Sequence, residues 1–403
     1  MKHVYLHVPF CRRRCSYCDF SIAVRRAIPA AQYVDAIKRE RDLLFASGEW
    51  DDEPTETLYL GGGTPSRLPT DAIADLVNFF VAGARARTER SGVGYRSSVI
   101  GKPQTDNRQP TTGKGGGVEV TIEANPDDVT PRTATAWRGA GVNRVSLGVQ
   151  SFSAAVLRWM HRTHGAGQAA RAVRALRRAG FDNVSLDLIF ALPDGLSPRF
   201  RRDLEKALAL EPDHLSIYGL SVEPRTPLAR WISAGAVAPS GDERYADEFL
   251  LAHALLTDAG LEHYEVSNYA LPGRRSRHNA CYWTGEPYAG LGPSAHGFTG
   301  KVRRWNLTPW AAYERTVRQG KSPEAGREVL SDEERSLEQI YLGLRTRTGV
   351  ARSQLGAEAE ALLEDAVHAK LLERQGKRLR ATPRGWLALD ALVARLTTWA
   401  GGG

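Results

Sequence analysis

Three of the chain's four cysteines fall within eight residues, as Cys11-x-x-x-Cys15-x-x-Cys18. Thiolates so closely spaced suit iron–sulfur or zinc chemistry. A four-iron, four-sulfur cluster usually takes four thiolates, so three would leave one iron open to another ligand. Zinc would need a fourth protein ligand to close its tetrahedron, and only Asp19 or His7 is at hand. The remaining Cys281 reads as a small buried residue or as a second, separate thiolate ligand. Four cysteines are too few for a disulfide framework.

The elements that must position these thiolates are visible as six short apolar runs, each followed by a helical pattern. The runs are His3–Val8, Thr57–Leu60, Val118–Ala124, Arg144–Val149, Asn183–Phe190 and His214–Leu220. Their lengths and β-branched content suit buried parallel strands. Ala169, Val173 and Leu176 mark one helix face before Gly180, and Tyr245, Phe249, Ala252 and Leu256 another before Gly260. Six strand–helix units predict an α/β fold, an incomplete (β/α)6 barrel, with ligand-binding residues just past the C-terminal strand ends. Polar or glycine residues do stand at or near these ends: Cys11, Gly61-Gly62-Gly63-Thr64, Gln150 and Ser221 follow their runs, Glu123 closes the third and Asp187 lies in the fifth.

Beyond Ser331 the pattern changes. Ser331 and Glu334 form a capping-box signature, and Leu337, Ile340, Tyr341 and Leu344 follow at helical spacing. Two further helical stretches, a short strand at Arg378–Ala381 and a last helix predict a small winged-helix-like domain. The expected division is a barrel over 1–260, a connecting region over 261–330 and the C-terminal domain over 331–398.

Of the net charge of +8, +5 lies between Ala84 and Gly117, a stretch rich in Gly, Ser, Thr, Pro and Gln without apolar periodicity. It reads as a disordered surface insertion, with a basic arm for RNA or acidic lipid as the alternative. Acidic residues (Glu358, Glu360, Glu364, Asp365) in the C-terminal domain disfavour nucleic acid as a partner. No run approaches the ~18 apolar residues of a membrane span. The N-terminus does not read as a signal peptide, so the expected location is cytoplasmic, with peripheral membrane contact left open.

Cys-x-x-x-Cys-x-x-Cys directly after a first barrel strand resembles the signature of radical S-adenosylmethionine proteins. Gly61-Gly62-Gly63-Thr64-Pro65 looks like that family's glycine-rich element. The resemblance narrows to the anaerobic coproporphyrinogen oxidase-like subfamily at five motifs. These are Tyr5-Leu-His-Val-Pro-Phe-Cys11, Thr121-Ile-Glu-Ala-Asn-Pro126, Ser146-Leu-Gly-Val-Gln-Ser-Phe152, Asp187-Leu-Ile-Phe-Ala-Leu-Pro193 and Gly290-Leu-Gly-Pro-Ser-Ala-His-Gly297. It implies a four-iron, four-sulfur cluster on Cys11, Cys15 and Cys18. It also implies S-adenosylmethionine contacts from Tyr5, Tyr17, Gly62, Gly63, Thr64, Glu123, Gln150, Arg162 and Asp187. Carboxylates suit ribose hydroxyls, and Arg162 can pair the methionine carboxylate. Ala191-Leu-Pro-Asp-Gly195 departs from the usual Gly-Leu-Pro-Gly-Gln, which puts that turn in question.

The oxidases of the subfamily carry a fourth cysteine two residues after the third, where this chain has Phe20. Phe20 and His278-Asn279-Ala280-Cys281-Tyr282-Trp283 together resemble a heme chaperone branch, which shows His-Asn-x-x-Tyr-Trp there. That branch implies heme as cargo and respiratory-chain proteins as recipients, with His278, Tyr282 and Trp283 as heme contacts and no assigned catalytic residue. An imidazole can ligate heme iron while aromatic faces cover the porphyrin. His296 is the next candidate ligand. Coproporphyrinogen dehydrogenase and a radical enzyme modifying RNA stand as the alternatives.

Overall fold

The computed structural model describes residues 1–50, 53–82, 117–196, 199–355 and 360–397, so the 84–117 insertion lies, Gly117 aside, outside the described residues. Strands β1 (His3–Val8), β2 (Thr57–Gly62), β3 (Glu119–Ala124), β4 (Arg144–Gln150), β5 (Val184–Phe190) and β6 (His214–Gly219) match the six expected runs to within two residues at each end. Helices α1 (Ala30–Ala46), α2 (Thr70–Val77), α3 (Pro131–Gly139), α4 (Gln168–Arg178), α5 (Phe200–Leu208) and α6 (Asp242–Asp258) alternate with them. Capping follows local chemistry: Thr130 and Thr133 exchange side-chain-to-backbone bonds ahead of Pro131 at the start of α3. On α4, Ala169, Val173 and Leu176 are buried before the left-handed Gly180 (φ +87°). On α6, Phe249, Ala252 and Leu256 are buried. Tyr245, expected in the same stripe, is 39% exposed and packs across Phe190.

All six strands are parallel, in an open sheet. The segment read from sequence as a connection, 261–330, supplies strands to both of its edges. Strand β7 (Glu262–Glu265) and β8 (Asn268–Ala270) add antiparallel beyond β6, and β9 (Ala289–Leu291) adds parallel beside β1. The order is therefore β9-β1-β2-β3-β4-β5-β6-β8-β7. Between these edge strands, helix α7 (Arg277–Thr284) carries the His278–Trp283 motif. Glu119 at the start of β3 accepts from the first-turn N–H groups of Arg277 and His278 at 3.0 Å each, fixing that helix across the floor of the barrel.

The strands alternate rather than being apolar on both faces. Leu58, Leu60, Val120, Ile122, Val145, Leu147, Leu186, Leu188, Leu215 and Ile217 join the core packed under the helices. Their neighbours Tyr59, Glu123, Arg144, Ser146, Asp187 and Ser216 line the lumen. A sheet that encloses a cavity needs this two-residue period, apolar to the helices and polar to the ligand.

A second sheet, Val302–Asn306 between His296–Phe298 and Glu324–Val329, is tied to the barrel by one buried carboxylate. Glu40 on α1 accepts from Gly292 N (2.8 Å), Asn306 Nδ2 (2.6 Å) and Tyr313 Oη (2.6 Å), with Arg304 at 3.5 Å. Glu40→Ala would strand all these donors. It should cost about 3–5 kcal/mol, read from chemical denaturation; a loss under 1 kcal/mol would mean that water replaces the carboxylate.

The C-terminal segment begins at Asp332–Leu344 with the Ser331/Glu334 capping box in place (2.8 and 3.2 Å). Its helices and three-stranded sheet, with Arg378–Ala381 in the middle, give the winged-helix-like arrangement. Among the described residues no helix is long and apolar enough to cross a membrane.

Candidate functional site: the cysteine mouth and the barrel lumen

A cavity of about 410 Å³ opens at the C-terminal strand ends and runs down the lumen to Asn279 on the floor helix. Cys11, Cys15 and Cys18 all line its mouth. The loop holding them is clamped at several points. Cys11 sits on a two-residue strand paired with Ala23–Val24, Ser16 N donates to Met160 O, and Cys11 Sγ lies 3.3 Å from Thr64 Oγ1. Burial pushes the Cys11 thiol up, and Cys18 up to about 11 with its neighbouring thiols adding to the shift. Thiols held near one another in a half-buried pocket resist ionisation until cations share their charge. Arg162 already points Nη1 at Cys15 Sγ, 3.6 Å away.

The three cysteines fit a cluster better than one ion. Among the described residues, no three His, Cys, Asp or Glu side chains converge on a point as a zinc site requires. Thiolates of a four-iron cluster bind different irons and need only share a pocket. The glycine-rich element makes room for that pocket. Strand β2 continues through Gly61 and Gly62, and Gly62 adopts φ +108° against the His7 ring. A Cβ on Gly63 would fall 2.9 Å from the Pro9 backbone and 3.0 Å from Cys11 Sγ. Only glycine lets the two loops approach so closely.

Around the mouth, Tyr17, Gly62, Gly63, Thr64, Glu123, Gln150, Arg162 and Asp187 all line the cavity, as expected from sequence. Gln150 reaches it through a bulge between β4 and β5 and a left-handed backbone (φ +64°). Arg162 is anchored by Asn125 Oδ1 (2.5 Å) and Gly148 O (2.8 Å), with Nε buried and unpartnered. Tyr5 is the exception. Its ring packs between Tyr59 and His278 and its hydroxyl meets His7 Nδ1 at 3.2 Å, away from the cavity wall. The questioned turn keeps its shape: Ala191 takes φ +56°, a conformation natural to the glycine usual there, and donates to Glu248 at 2.7 Å. The side chain there costs about 1 kcal/mol.

Glu123 accepts from Tyr59 Oη and Gly62 N, each at 2.9 Å, while burial pushes it up to about 7. Between the ordinary carboxylate range and about 7 the folded chain therefore holds a proton that the unfolded chain releases. Stability should fall as pH rises across that window, by as much as about 3 kcal/mol from this group. Glu123→Gln should flatten the decline in Tm between pH 5 and pH 8. Some slope will persist through Glu265, pushed to about 7 by burial as well. An unchanged slope would mean that Glu123 is ionised throughout.

The heme motif is less open than its sequence suggests. His278 and Tyr282 share one face of α7, with His278 Nε2 2.9 Å from Tyr282 Oη. Trp283 turns elsewhere, under the Arg345 guanidinium 5.0 Å from its ring centroid. It does not share an aromatic wall with Tyr282, because consecutive residues on a helix point about 100° apart. Cys281 is buried and donates to His278 O at 2.8 Å, so it packs the helix rather than facing a ligand. His296 is exposed, its ring stacked on Trp305. Sequence reasoning missed Arg144, Asn125 and Asn279 in the cavity wall. The polar alternation within the strands was the signal that marks Arg144.

Comparison with known proteins agrees with this geometry. Residues 5–197 match the Radical SAM superfamily and residues 330–388 the HemN C-terminal domain. The chain is 36% identical over 400 residues to the heme chaperone HemW of Mycobacterium tuberculosis, covering 98% of this chain and 94% of that protein. It is 34% identical over 333 residues to the Escherichia coli heme chaperone HemW, covering 81% and 78%. Its fold resembles Escherichia coli coproporphyrinogen III oxidase, HemN, with a TM-score of 0.74 at 21% identity over 98% of this chain and 90% of that one. A cysteine mouth on an open parallel barrel and this identity over nearly the full length lead to one assignment: the chain belongs to the HemW family of radical SAM proteins.

Proposed function

We propose that the chain is a heme chaperone that also holds a four-iron, four-sulfur cluster and S-adenosylmethionine at the mouth of its barrel. The observation that carries the choice of chaperone over oxidase is Phe20, 56% exposed at the cavity rim where the oxidases of the subfamily place a fourth cysteine. Likeness to proteins named heme chaperones over nearly the whole chain supports the same choice.

Cys11, Cys15 and Cys18 are the cluster ligands in this reading. Glu123 and Asp187 offer acceptors to ribose hydroxyls, Gly63 admits close backbone approach, and Arg162 adds positive charge beside Cys15. When bound, the cluster supplies one-electron chemistry to the S-adenosylmethionine sulfonium. The division of labour follows a barrel over 1–260, whose sheet the heme-motif segment 261–330 extends at both edges, and a C-terminal unit over 331–398. Thiolate ligation suits a reducing cytoplasm, and respiratory heme proteins are the recipients.

Heme ligation falls to His278, prepared by a directional hydrogen-bond chain. Glu286, ion-paired with Lys2, can only accept, so His3 Nε2–H donates to it (3.1 Å). In the singly protonated imidazole, His3 Nδ1 accepts from the Thr57 hydroxyl (2.9 Å), whose oxygen accepts from His278 Nδ1–H (2.7 Å). His278 Nε2 is left as an acceptor, covered only by the Tyr282 hydroxyl. Burial, aided by His3 and Arg144, pushes the imidazole down to about 3, so it stays neutral with its Nε2 lone pair available. Release of Tyr282 opens that lone pair to iron.

Titrating anaerobically reconstituted protein should give about one heme per chain. Incubation with coproporphyrinogen, S-adenosylmethionine and reductant should give no protoporphyrinogen. Appearance of that product would transfer the chain to the oxidases.

A further inference from the structure

We propose that the barrel lumen contains a carboxylate-binding site centred on Arg144, below the cysteine mouth. Arg144 is 1% exposed, yet its Nε and Nη1 have no hydrogen-bond partner among the described residues. It lies in the wall of the cavity, within electrostatic reach of Glu123 and Asp187 but with no hydrogen bond to either among the described residues. The nearby carboxylates are committed elsewhere. Glu119 holds the N-terminus of the floor helix, Glu123 bonds Tyr59 and Gly62, and Asp187 accepts from Ser146 Oγ at 2.9 Å. Burial raises both Glu123 and Asp187 while the charge of Arg144 pulls them back down, so their hold on the guanidinium acts through space and fills neither its Nε–H nor its Nη1–H groups. His214 is likewise spent on Ser185 and Tyr264. Buried guanidinium N–H groups without an acceptor are costly, and are retained where a ligand completes them.

The surroundings set the ligand's chemistry. Asn279 enters the same cavity from the floor and Ser216 and Tyr218 from β6, adding neutral hydrogen-bonding groups beside the fork of the guanidinium. A planar monoanion meets that fork with two parallel bonds. A doubly charged phosphate would meet stronger repulsion from Glu123 and Asp187 across the cavity than a monoanion does. A carboxylate held here projects its carbon chain upward, toward the mouth where S-adenosylmethionine is placed. Its source is a small free acid or a propionate of heme, and the two are separable.

The test uses full-length protein, with and without saturating S-adenosylmethionine, and follows Tm against propionate and its neutral isostere propionamide. Propionate should raise Tm saturably and propionamide should not. Arg144→Met should weaken the propionate response at least tenfold, because the fork that meets the carboxylate is removed. If that variant does not fold, Arg144→Lys keeps the charge but loses the fork, and should still weaken propionate about tenfold. An equal response to propionamide, an undiminished response in both variants, or abolition of the response by S-adenosylmethionine would overturn the proposal. Heme and heme dimethyl ester distinguish the sources. Binding of heme, but not of its ester, that weakens in Arg144→Met marks a propionate in the site; heme indifferent to the change marks a free acid. Because propionate is read without heme, failure of heme binding leaves this result standing.

Discussion

Replacing Cys11, Cys15 or Cys18 singly by alanine should reduce iron from about four per chain to a small fraction of one after anaerobic reconstitution. The cause is geometric. All three thiols line one mouth, and the remaining Cys281 lies inside α7 with its thiol bonded to the His278 carbonyl, so no spare sulfur can migrate in. Cys281→Ala should therefore leave iron unchanged. The loop is over-determined by Thr64, Ala23 and Met160, so the alanine variants should fold with nearly native circular dichroism. Full iron in all three variants would show that the ligands lie elsewhere. Gly63→Ala makes a milder version of the same point. Its new methyl would press on the Pro9 backbone and on Cys11 Sγ, so cluster loading should drop although every cysteine remains.

The parts legible in the sequence share a physical cause. The six strands announced themselves because β-branched runs between helical patterns have few other ways to fold, and the cysteine spacing because thiolates rarely crowd by accident. Gly62 and Gly63 were legible for the same reason, a backbone requirement that one residue type meets. What escaped depended on packing between distant segments. Strands β7, β8 and β9 are three or four residues long, too short to stand out, and gain their place by pairing, β8 with β6, β7 with β8 and β9 with β1. Once they pair, the helix between them becomes a floor. That places His278, read from sequence as a heme contact, as a buried imidazole bonded at both nitrogens. Trp283 was misplaced because a motif written as a string hides that it winds into a helix. Arg144 was hidden inside an apolar run, where alternation rather than composition carried the information.

Tyr282→Phe should tighten heme binding about fivefold, whereas His278→Ala should abolish the axial imidazole signature in the heme spectrum. The argument turns on one lone pair. In the unliganded chain Nε2 of His278 accepts from Tyr282, so heme must displace a hydrogen bond worth about 1 kcal/mol before iron can bind. Phenylalanine removes the donor and keeps the ring against Tyr288, 4.6 Å away between centroids, so the helix should hold its place. His278→Ala does more than delete a ligand. It also leaves Thr57 and Tyr282 short of a partner beside the Tyr59 ring, so Tm should fall together with the spectrum. Thr57→Val separates the two effects. It keeps the imidazole but removes the oxygen that fixes its proton on Nδ1, so binding should weaken while imidazole ligation remains visible. His296→Ala should change neither Tm nor spectrum, since that ring is exposed and stacks on Trp305 at the edge of the second sheet. If the spectrum instead shifts in His296→Ala and survives in His278→Ala, the hydrogen-bond chain is a structural brace for the barrel floor. The iron ligand would then be the exposed imidazole of His296.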